Sequence, residues 1–402
     1  MPPAIFSSAW RRRLRYRRLL NPKPQSDTCA SVNDARSVAL VKRDNIGDFI
    51  LATTFLETAY DKWADKDIAY VCKPELRDIA AAFYPKWSVL APPESKRDYR
   101  FFSKKHLRAE VMKWPARDWM ISLRAMRRPS EAVFESWIPA RRKVAISNQY
   151  AKYEPRLLEE MPDENSIYNE VLQYSPAGEE EVCADIMNHR FLLDRCFPGN
   201  ALHNKNALPL IPARVLNDEA LHNKAREKGG LNGFERFLAV CPFATQSVRM
   251  YPLDKLAPAV SNAAITHNMP VVIFGADSDM DEANRLAALL SPGINTISLA
   301  GQLTMLETIS CIARADAAIS VDSACAHIAI ASGVPTVVML GGGHYGHFGP
   351  WGPLKKTRWL THAMECFDCS WNCVHSRPHC ITDIASQSVA DALEGMIKCK
   401  IA

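Results

Sequence analysis

The chain has 402 residues, of which 48% are hydrophobic and 23% charged. This is the composition of a folded globular protein, which excludes a disordered or fibrous chain, and the length suits two domains of ordinary size. The sequence lacks any run of the roughly 18 to 20 apolar residues that a membrane-spanning helix needs. The N-terminus also lacks the order of charge, apolar run and cleavage site that defines a secretory signal. We therefore expect a cytoplasmic protein.

The net charge of +5 belongs to the N-terminus rather than to the whole chain. Residues 1–25 contain seven basic residues and no acidic one, so the rest of the chain carries −2. Two interpretations of this predicted tail and linker (1–35) stay open. One is a disordered solubilising segment. The other is a peripheral contact with the anionic inner face of a membrane, where each basic residue contributes about 1 kcal/mol. Nucleic acid is not an expected partner because the basic patch does not continue beyond the tail.

From Ser37 onwards, short runs of branched apolar residues alternate with segments of helical spacing. This alternation predicts an α/β fold with a parallel, doubly wound sheet. The predicted strands cover 37–44, 68–74, 87–93, 117–126 and 140–148. Beyond about residue 150 strand signals are few, and we interpret that part as a helical insertion. The first Rossmann-like domain is therefore placed at 36–205, with a linker at 206–235.

The alternation resumes at Arg236 with clearer signals and predicts a second Rossmann-like domain at 236–402. Its predicted strands cover 237–243, 269–277, 294–301, 317–323 and 335–343. Two such domains facing a central cleft make the GT-B architecture, in which a ligand binds at the carboxyl ends of the strands.

The strongest local motif is AAISVDSACAHIAIASGVP, at 317–335. It predicts a strand that ends at Val321, a turn, and a helix whose first backbone N–H groups lack partners. Such a helix N-terminus suits a diphosphate. An ordinary capped helix with a buried histidine is the alternative. A glycine-rich loop, LGGGHYGHFGPWGP, follows the next strand to the same edge of the sheet and favours a ligand site.

The stretch from Ala300 to Pro353 resembles the C-terminal domain of glycosyltransferase family 9, the lipopolysaccharide heptosyltransferases. It has the family's Leu-Ala-Gly strand end and glycine-rich loop, and its D-S-A-C-A-H run matches the family's D-[ST]-G-x-x-H pattern except at the glycine. Upstream, CPFATQSVRMYPLDKLAPAV resembles a further family segment, and VKRDNIGDFILATTFLETA resembles the family's N-terminal opening. The resemblance covers roughly 37–60 and 236–395.

The resemblance implies roles residue by residue. Asp48 matches the catalytic base, which accepts a proton from an acceptor hydroxyl. Without the resemblance it is a helix N-terminal acid stabilised by the helix dipole. The implied donor-binding residues are Arg249, Asp322, Ser323, Ala324, Cys325, His327, Gly342 and Gly343, and the acceptor-binding residues are Asn45, Gly47 and Arg124. A cation at Arg249 would stabilise a departing diphosphate, and a lone surface arginine is the alternative.

The chain departs from the family pattern at two places. Ala324 stands where a glycine is usual, which requires a negative φ at that position. Met250 and Tyr251 replace the more usual small or polar residue and Trp. A donor other than the family's usual one therefore stays open.

The segment 362–381 contains Cys366, Cys369, Cys373 and Cys380, spaced C-x2-C-x3-C-x6-C. Four thiols in a short loop could hold zinc or iron as a structural site. Similar loops occur in a subset of the family, whose autotransporter relatives hold iron with cysteines. The spacing fits neither a standard zinc finger nor a ferredoxin, and reduced structural thiols are the alternative.

The resemblance implies an inverting glycosyltransferase that needs no metal for its chemistry. Its expected donor is ADP-heptose, and its expected acceptor is a lipopolysaccharide core or related surface glycan. Arg124, Arg127 and Arg128 would suit an anionic glycolipid. Two alternatives are a protein heptosyltransferase of the autotransporter type and a non-catalytic scaffold or metal-binding protein that has kept the fold.

Overall fold

The computed structural model describes residues 13, 16–21, 31–93, 104–149, 159–174 and 183–401. Much of the predicted basic tail lies outside these residues. The chain divides into two compact units. The first comprises Met1–Asn45, Phe55–Ala177 and Met187–Ala207, and the second comprises Ile46–Thr54, Gly178–Ile186 and Leu208–Ala402. The sequence-based domain boundaries stay predictions.

The described part of the first unit is built around a six-stranded parallel sheet in the order β3-β2-β1-β4-β5-β6. Its strands are β1 (Ser37–Val41), β2 (Asp67–Val71), β3 (Ser88–Leu90), β4 (Arg117–Ser122), β5 (Ala140–Ile146) and β6 (Glu170–Leu172). The accompanying helices are α1 (Ile46–Lys62), α2 (Arg77–Phe83), α3 (Lys104–Val111), α4 (Pro129–Trp137), α5 (Ala184–Cys196) and α6 (Ala201–Asn206). Helix α1 begins in the second unit and ends in the first.

Part of the predicted tail packs on the first unit. Tyr16 is buried in the hydrophobic core beside α4, and Leu19 and Leu20 pack against the same core. The carbonyl of Leu19 accepts a hydrogen bond of 2.8 Å from the indole N–H of Trp137. These apolar residues therefore contribute to a protein core, which neither interpretation of the tail foresees for them.

The described part of the second unit contains another six-stranded parallel sheet, in the order β12-β11-β10-β7-β8-β9. Its strands are β7 (Leu238–Cys241), β8 (Val271–Ile273), β9 (Thr296–Ser298), β10 (Ala317–Val321), β11 (Thr336–Met339) and β12 (Thr357–Leu360). The helices are α7 (Ala213–Leu216), α8 (Glu219–Lys228), α9 (Leu253–His267), α10 (Met280–Leu289), α11 (Met305–Ile312), α12 (Ala324–Ala331), α13 (His379–Thr382) and α14 (Ser386–Ile401).

The strands β7, β8, β10 and β11 of the second sheet are short and mostly apolar because helices cover both faces of the sheet. All residues of β7, β8, β10 and β11 are buried. Helix α14 packs its apolar side on the same core, where Val389, Leu393 and Ile397 are nearly inaccessible. Since the strands are parallel, their carboxyl ends meet at one edge, which brings the segments after β10 and β11 together.

Two strands of the structure lie outside the strands predicted from the sequence. Strands β6 and β12 lie at the edges of their sheets and are only partly buried, so they lack the apolar run of a central strand. Helix α1 begins directly after Asn45 and places Asp48 in its first turn. Within the described residues, the structure has no helix with the length and apolar character that a membrane span requires.

Candidate active site

The D-S-A-C-A-H motif lies at the carboxyl end of β10 in the second unit. Ser323 has extended backbone dihedrals and forms the N-cap of α12, but its hydroxyl makes no capping hydrogen bond. It lies instead 3.3 Å from the hydroxyl of Ser320. Ala324 is the first helical residue, a conformation that any residue adopts, so the alanine replaces the family's glycine without strain. The N-terminal N–H groups of α12 keep the capacity to bind an anion.

Asp322 and Arg249 form an ion pair in which Nη2 of the guanidinium lies 2.7 Å from Oδ2 of the carboxylate. The same nitrogen donates to the Asp322 carbonyl. Asp322 is only 2% exposed, and in the described part of the chain its Oδ1 has no hydrogen-bond partner. Nε of Arg249 is likewise buried without one. Because an unsatisfied buried polar atom is costly, both atoms are candidates for contact with a ligand.

His327, one turn into α12, is buried and neutral. Desolvation by burial lowers its pKa to about 4, although the Asp322 carboxylate acts in the opposite direction. The indole N–H of Trp351 donates to Nδ1 at 3.0 Å, which leaves the imidazole proton on Nε2. Nε2 lies 3.8 Å from Oδ1 of Asp322. Trp351 therefore fixes the tautomer that turns an N–H towards the buried carboxylate, a role that sequence reasoning missed.

The first turn of α1 lies against this motif within the second unit. A Cβ added at Gly47 would come within 3.0 Å of Cδ2 of His327 and 3.7 Å of the Ala324 Cα. A side chain at position 47 would therefore collide with the imidazole, which explains the glycine. Asp48 is the next residue and is partly exposed. The structure thus places the first turn of α1, which includes Asp48, beside the predicted donor motif.

The glycine-rich loop is packed against the cysteine-containing segment rather than open to solvent. A Cβ at Gly342 would lie 2.3 Å from the ring of Phe367, and one at Gly343 would lie 2.2 Å from that of Trp371. Both glycines are buried. The absence of side chains at these positions makes room for two aromatic rings. Their assignment to the donor stays a prediction.

Cys325, which the resemblance also assigns to the donor, has different surroundings. Its thiol lies beside the thiol of Cys241, the last residue of β7. Its side chain therefore contacts the sheet beneath the motif.

The described side chains do not form the predicted metal site. The loop 362–381 is described in full, yet no group of three or more His, Cys, Asp or Glu within the described ranges is arranged to hold a metal ion. Cys366 and Cys369 are half-buried, Cys373 is exposed and Cys380 is buried, where desolvation raises the pKa of its thiol. Backbone hydrogen bonds and aromatic packing on Gly342 and Gly343 hold the loop instead.

The predicted acceptor residues Asn45 and Arg124 belong to the first unit. The Asn45 amide oxygen accepts from Nζ of Lys73 at 2.8 Å. Arg124 lies after β4 and pairs with Asp44 at 2.7 Å and with Glu131. Its assignment to the acceptor stays a prediction.

Arg127, expected to suit an anionic glycolipid, is fully buried. Its guanidinium donates to the carbonyls of Arg124 and Ile146 and pairs with Glu164. An arginine with these internal partners serves the fold of the first unit and is not accessible to a glycolipid.

Two six-stranded parallel sheets, each accompanied by helices, are the architecture of the GT-B class of glycosyltransferases. A family model described as glycosyltransferase family 9 (heptosyltransferase) matches residues 211–375. The resemblance inferred from the motifs is therefore confirmed, and the protein is a glycosyltransferase whose residues 211–375 match the family 9 model. A search of the curated proteins gave no match.

Solved structures share the fold over nearly the whole chain. A family 9 glycosyl transferase from Veillonella parvula DSM 2008 is 16% identical, covers 90% of this chain and 97% of its own, and has a TM-score of 0.68. E. coli ADP-heptose lps heptosyltransferase II is 16% identical over 91% of this chain and 100% of its own, with a TM-score of 0.65. E. coli heptosyltransferase WaaC with ADP-2-deoxy-2-fluoro heptose is 14% identical over 90% and 99%, with a TM-score of 0.61.

Proposed function

We propose that this glycosyltransferase transfers heptose from ADP-heptose to a hydroxyl of a lipopolysaccharide core or related surface glycan, with inversion at the anomeric carbon. The family match to the heptosyltransferases supports the sugar. The E. coli structures named for ADP-heptose or solved with an ADP-heptose analogue support the nucleotide. The observation that carries the proposal is the proximity of the α1 first turn to the Asp322–His327 motif.

In the proposed reaction, Asp48 accepts the proton of the acceptor hydroxyl as its oxygen attacks the anomeric carbon. The bond from that carbon to the donor diphosphate breaks in the same displacement, and ADP leaves. Negative charge grows on the leaving diphosphate. The Arg249 guanidinium and the N–H groups at the start of α12 would stabilise that charge.

Asp322 and His327 would help to position the groups that bind the donor, and neither would transfer a proton. The carboxylate aligns Arg249 through their ion pair. His327, with a pKa lowered to about 4, stays neutral near pH 7 and does not repel the guanidinium. A buried, neutral imidazole with a fixed tautomer is suited to holding a hydrogen bond in one direction.

Steady-state transfer from ADP-heptose to a heptose-free lipopolysaccharide acceptor, with ADP release as the readout, tests the proposal. A general base contributes roughly 10²- to 10⁴-fold, so Asp48→Asn should lower kcat by that factor while ADP still binds. Asp61→Asn is the matched control, because Asp61 is an exposed acid in the last turn of the same helix. Its kcat should equal that of the wild type.

Three outcomes would contradict parts of this proposal. Binding of UDP or GDP but not ADP, measured by calorimetry, would overturn the assignment of the donor while keeping the mechanism. Normal turnover of Asp48→Asn would remove Asp48 as the base. Transfer to a protein but not to the glycan would replace the acceptor class.

A further inference from the structure

The segment from Cys366 to Cys373 is seated on the glycine-rich loop by specific contacts. The backbone N–H groups of Asp368 and Ser370 donate to the carbonyls of Gly342 and Gly343, at 2.8 and 2.9 Å. Asp368, Ser370 and Trp371 all have left-handed backbones, with φ of 65°, 49° and 63°. An aromatic residue seldom adopts this conformation, so the surroundings hold Trp371 against its local preference.

The indole of Trp371 lies between the glycine-rich loop and the cation of the donor motif. One edge fills the space above Gly343. The guanidinium of Arg249 lies over the ring, 5.6 Å from its centroid. This distance is within the range of a cation–π interaction, and Trp is the strongest partner among the aromatic residues.

The contacts of Arg249 leave part of the guanidinium available for a ligand. Nη2 is committed to Asp322, and the ring of Trp371 restricts the orientation of the plane. Nε has no hydrogen-bond partner in the described part of the chain, and the side chain is 24% exposed. A guanidinium fixed on two sides in this way presents its remaining N–H groups in one direction, which lowers the entropy lost when an anion binds.

We propose that Trp371 is a positioning residue for the donor: it holds Arg249 in the orientation that binds the diphosphate of the nucleotide sugar. This inference rests on the proposed function of Arg249 and assigns a role to the cysteine-containing loop that needs no metal. The indole acts through the arginine. Removal of the indole should therefore weaken binding of the diphosphate and leave binding of the nucleoside unchanged.

The experiment measures the Kd of ADP and of adenosine by calorimetry for the wild type, Trp371→Leu, Trp371→Phe, Arg249→Met and the double variant Arg249→Met/Trp371→Leu. Val374→Ala is the control, because Val374 is 77% exposed on the same loop. The Tm of each variant reports folding. Trp371→Phe keeps a ring with a weaker π face and tests the proposal by itself if the leucine variant does not fold.

We expect Trp371→Leu to weaken ADP binding about 3- to 30-fold, the range that cation–π interactions span, and Trp371→Phe to weaken it less. Adenosine binding should stay within twofold of the wild type in both. In the Arg249→Met background the leucine substitution should change the ADP Kd by less than twofold. The KM for the donor should rise, with kcat changing less.

Equal losses of affinity for ADP and adenosine would overturn the inference. A loss of ADP affinity in the Arg249→Met background as large as in the wild type would also overturn it. Both results would indicate a general disturbance of the pocket. Unchanged ADP affinity in the folded Trp371 variants would also overturn it. If the wild type binds ADP and transfers heptose while these variants behave normally, the proposed function stands and only this inference fails. If the wild type binds no ADP, the ADP-based function fails, and this inference fails with it.

Discussion

Replacing Gly342 by alanine tests whether the cysteine-containing loop is seated as the structure shows. The added Cβ would lie 2.3 Å from Cδ1 of Phe367, more than 1 Å closer than ordinary carbon–carbon contact of about 3.5 to 4.0 Å. Overpacking of this kind costs roughly 1–3 kcal/mol because backbone or ring must move. We therefore expect Gly342→Ala to lower the free energy of unfolding of the second unit by about that amount.

The assay is urea unfolding followed by tryptophan fluorescence, with Gly342→Ala, Phe367→Ala and the double variant compared. Removing the ring removes the collision, so the glycine substitution should cost little in the Phe367→Ala background. The coupling free energy should then be about 1–3 kcal/mol. Gly395→Ala is the control: an added Cβ meets nothing within 4 Å on helix α14, and removal of a helical glycine should stabilise by about 0.5–1 kcal/mol.

Two results would refute this reasoning. Gly342→Ala could be as stable as the wild type, which would mean that the ring does not occupy that space. Alternatively, the two substitutions could be additive, which would mean that Gly342 is constrained by something other than Phe367.

Three further changes test the buried polar groups and a helix end. The pKa of His327 is about 4 in the folded protein and about 6.5 in the unfolded chain, so acid favours the unfolded chain. Between pH 7 and pH 4 the free energy of unfolding of the wild type should therefore fall by about 3 kcal/mol more than that of His327→Gln. Urea titrations at the two pH values measure this, and equal losses for the two proteins would contradict it. Arg127→Met should lower the free energy of unfolding by about 3–5 kcal/mol because it leaves Glu164 without its buried cation. Arg195→Met, which removes an ion pair whose arginine side chain is 58% exposed, should lower it by less than about 1 kcal/mol. Similar losses for the two variants would count against the burial of Arg127. Asn268 ends α9 with a left-handed backbone, at a φ of 49°. Asn268→Ala should therefore lower the Tm, and Asn268→Gly should not. The reverse order of Tm values would argue against a left-handed conformation at this position.

Much of the fold could be predicted because parallel strands that are covered on both faces appear in the sequence as short apolar runs. Runs such as those at Ser37–Val41 and Ala317–Val321 are mostly apolar, and the apolar residues of the intervening helices recur at helical spacing. The edge strands Glu170–Leu172 and Thr357–Leu360 were not predicted, because each is short and begins with polar residues and so forms no apolar run. Their identity depends on the neighbouring strand, which sequence spacing does not encode.

The sequence by itself determined the fold class, the family resemblance and the segments that contain the candidate site residues, because these depend on motifs and periodicities of a few residues. Only the tertiary structure decided which side chains meet. It pairs Arg249 with Asp322, 73 positions away, and turns Trp351 onto His327. It also buries Arg127, which as an arginine in a loop suggested a surface cation. Contacts between residues distant in the chain depend on how the sheet brings strand ends together, and no local pattern records them.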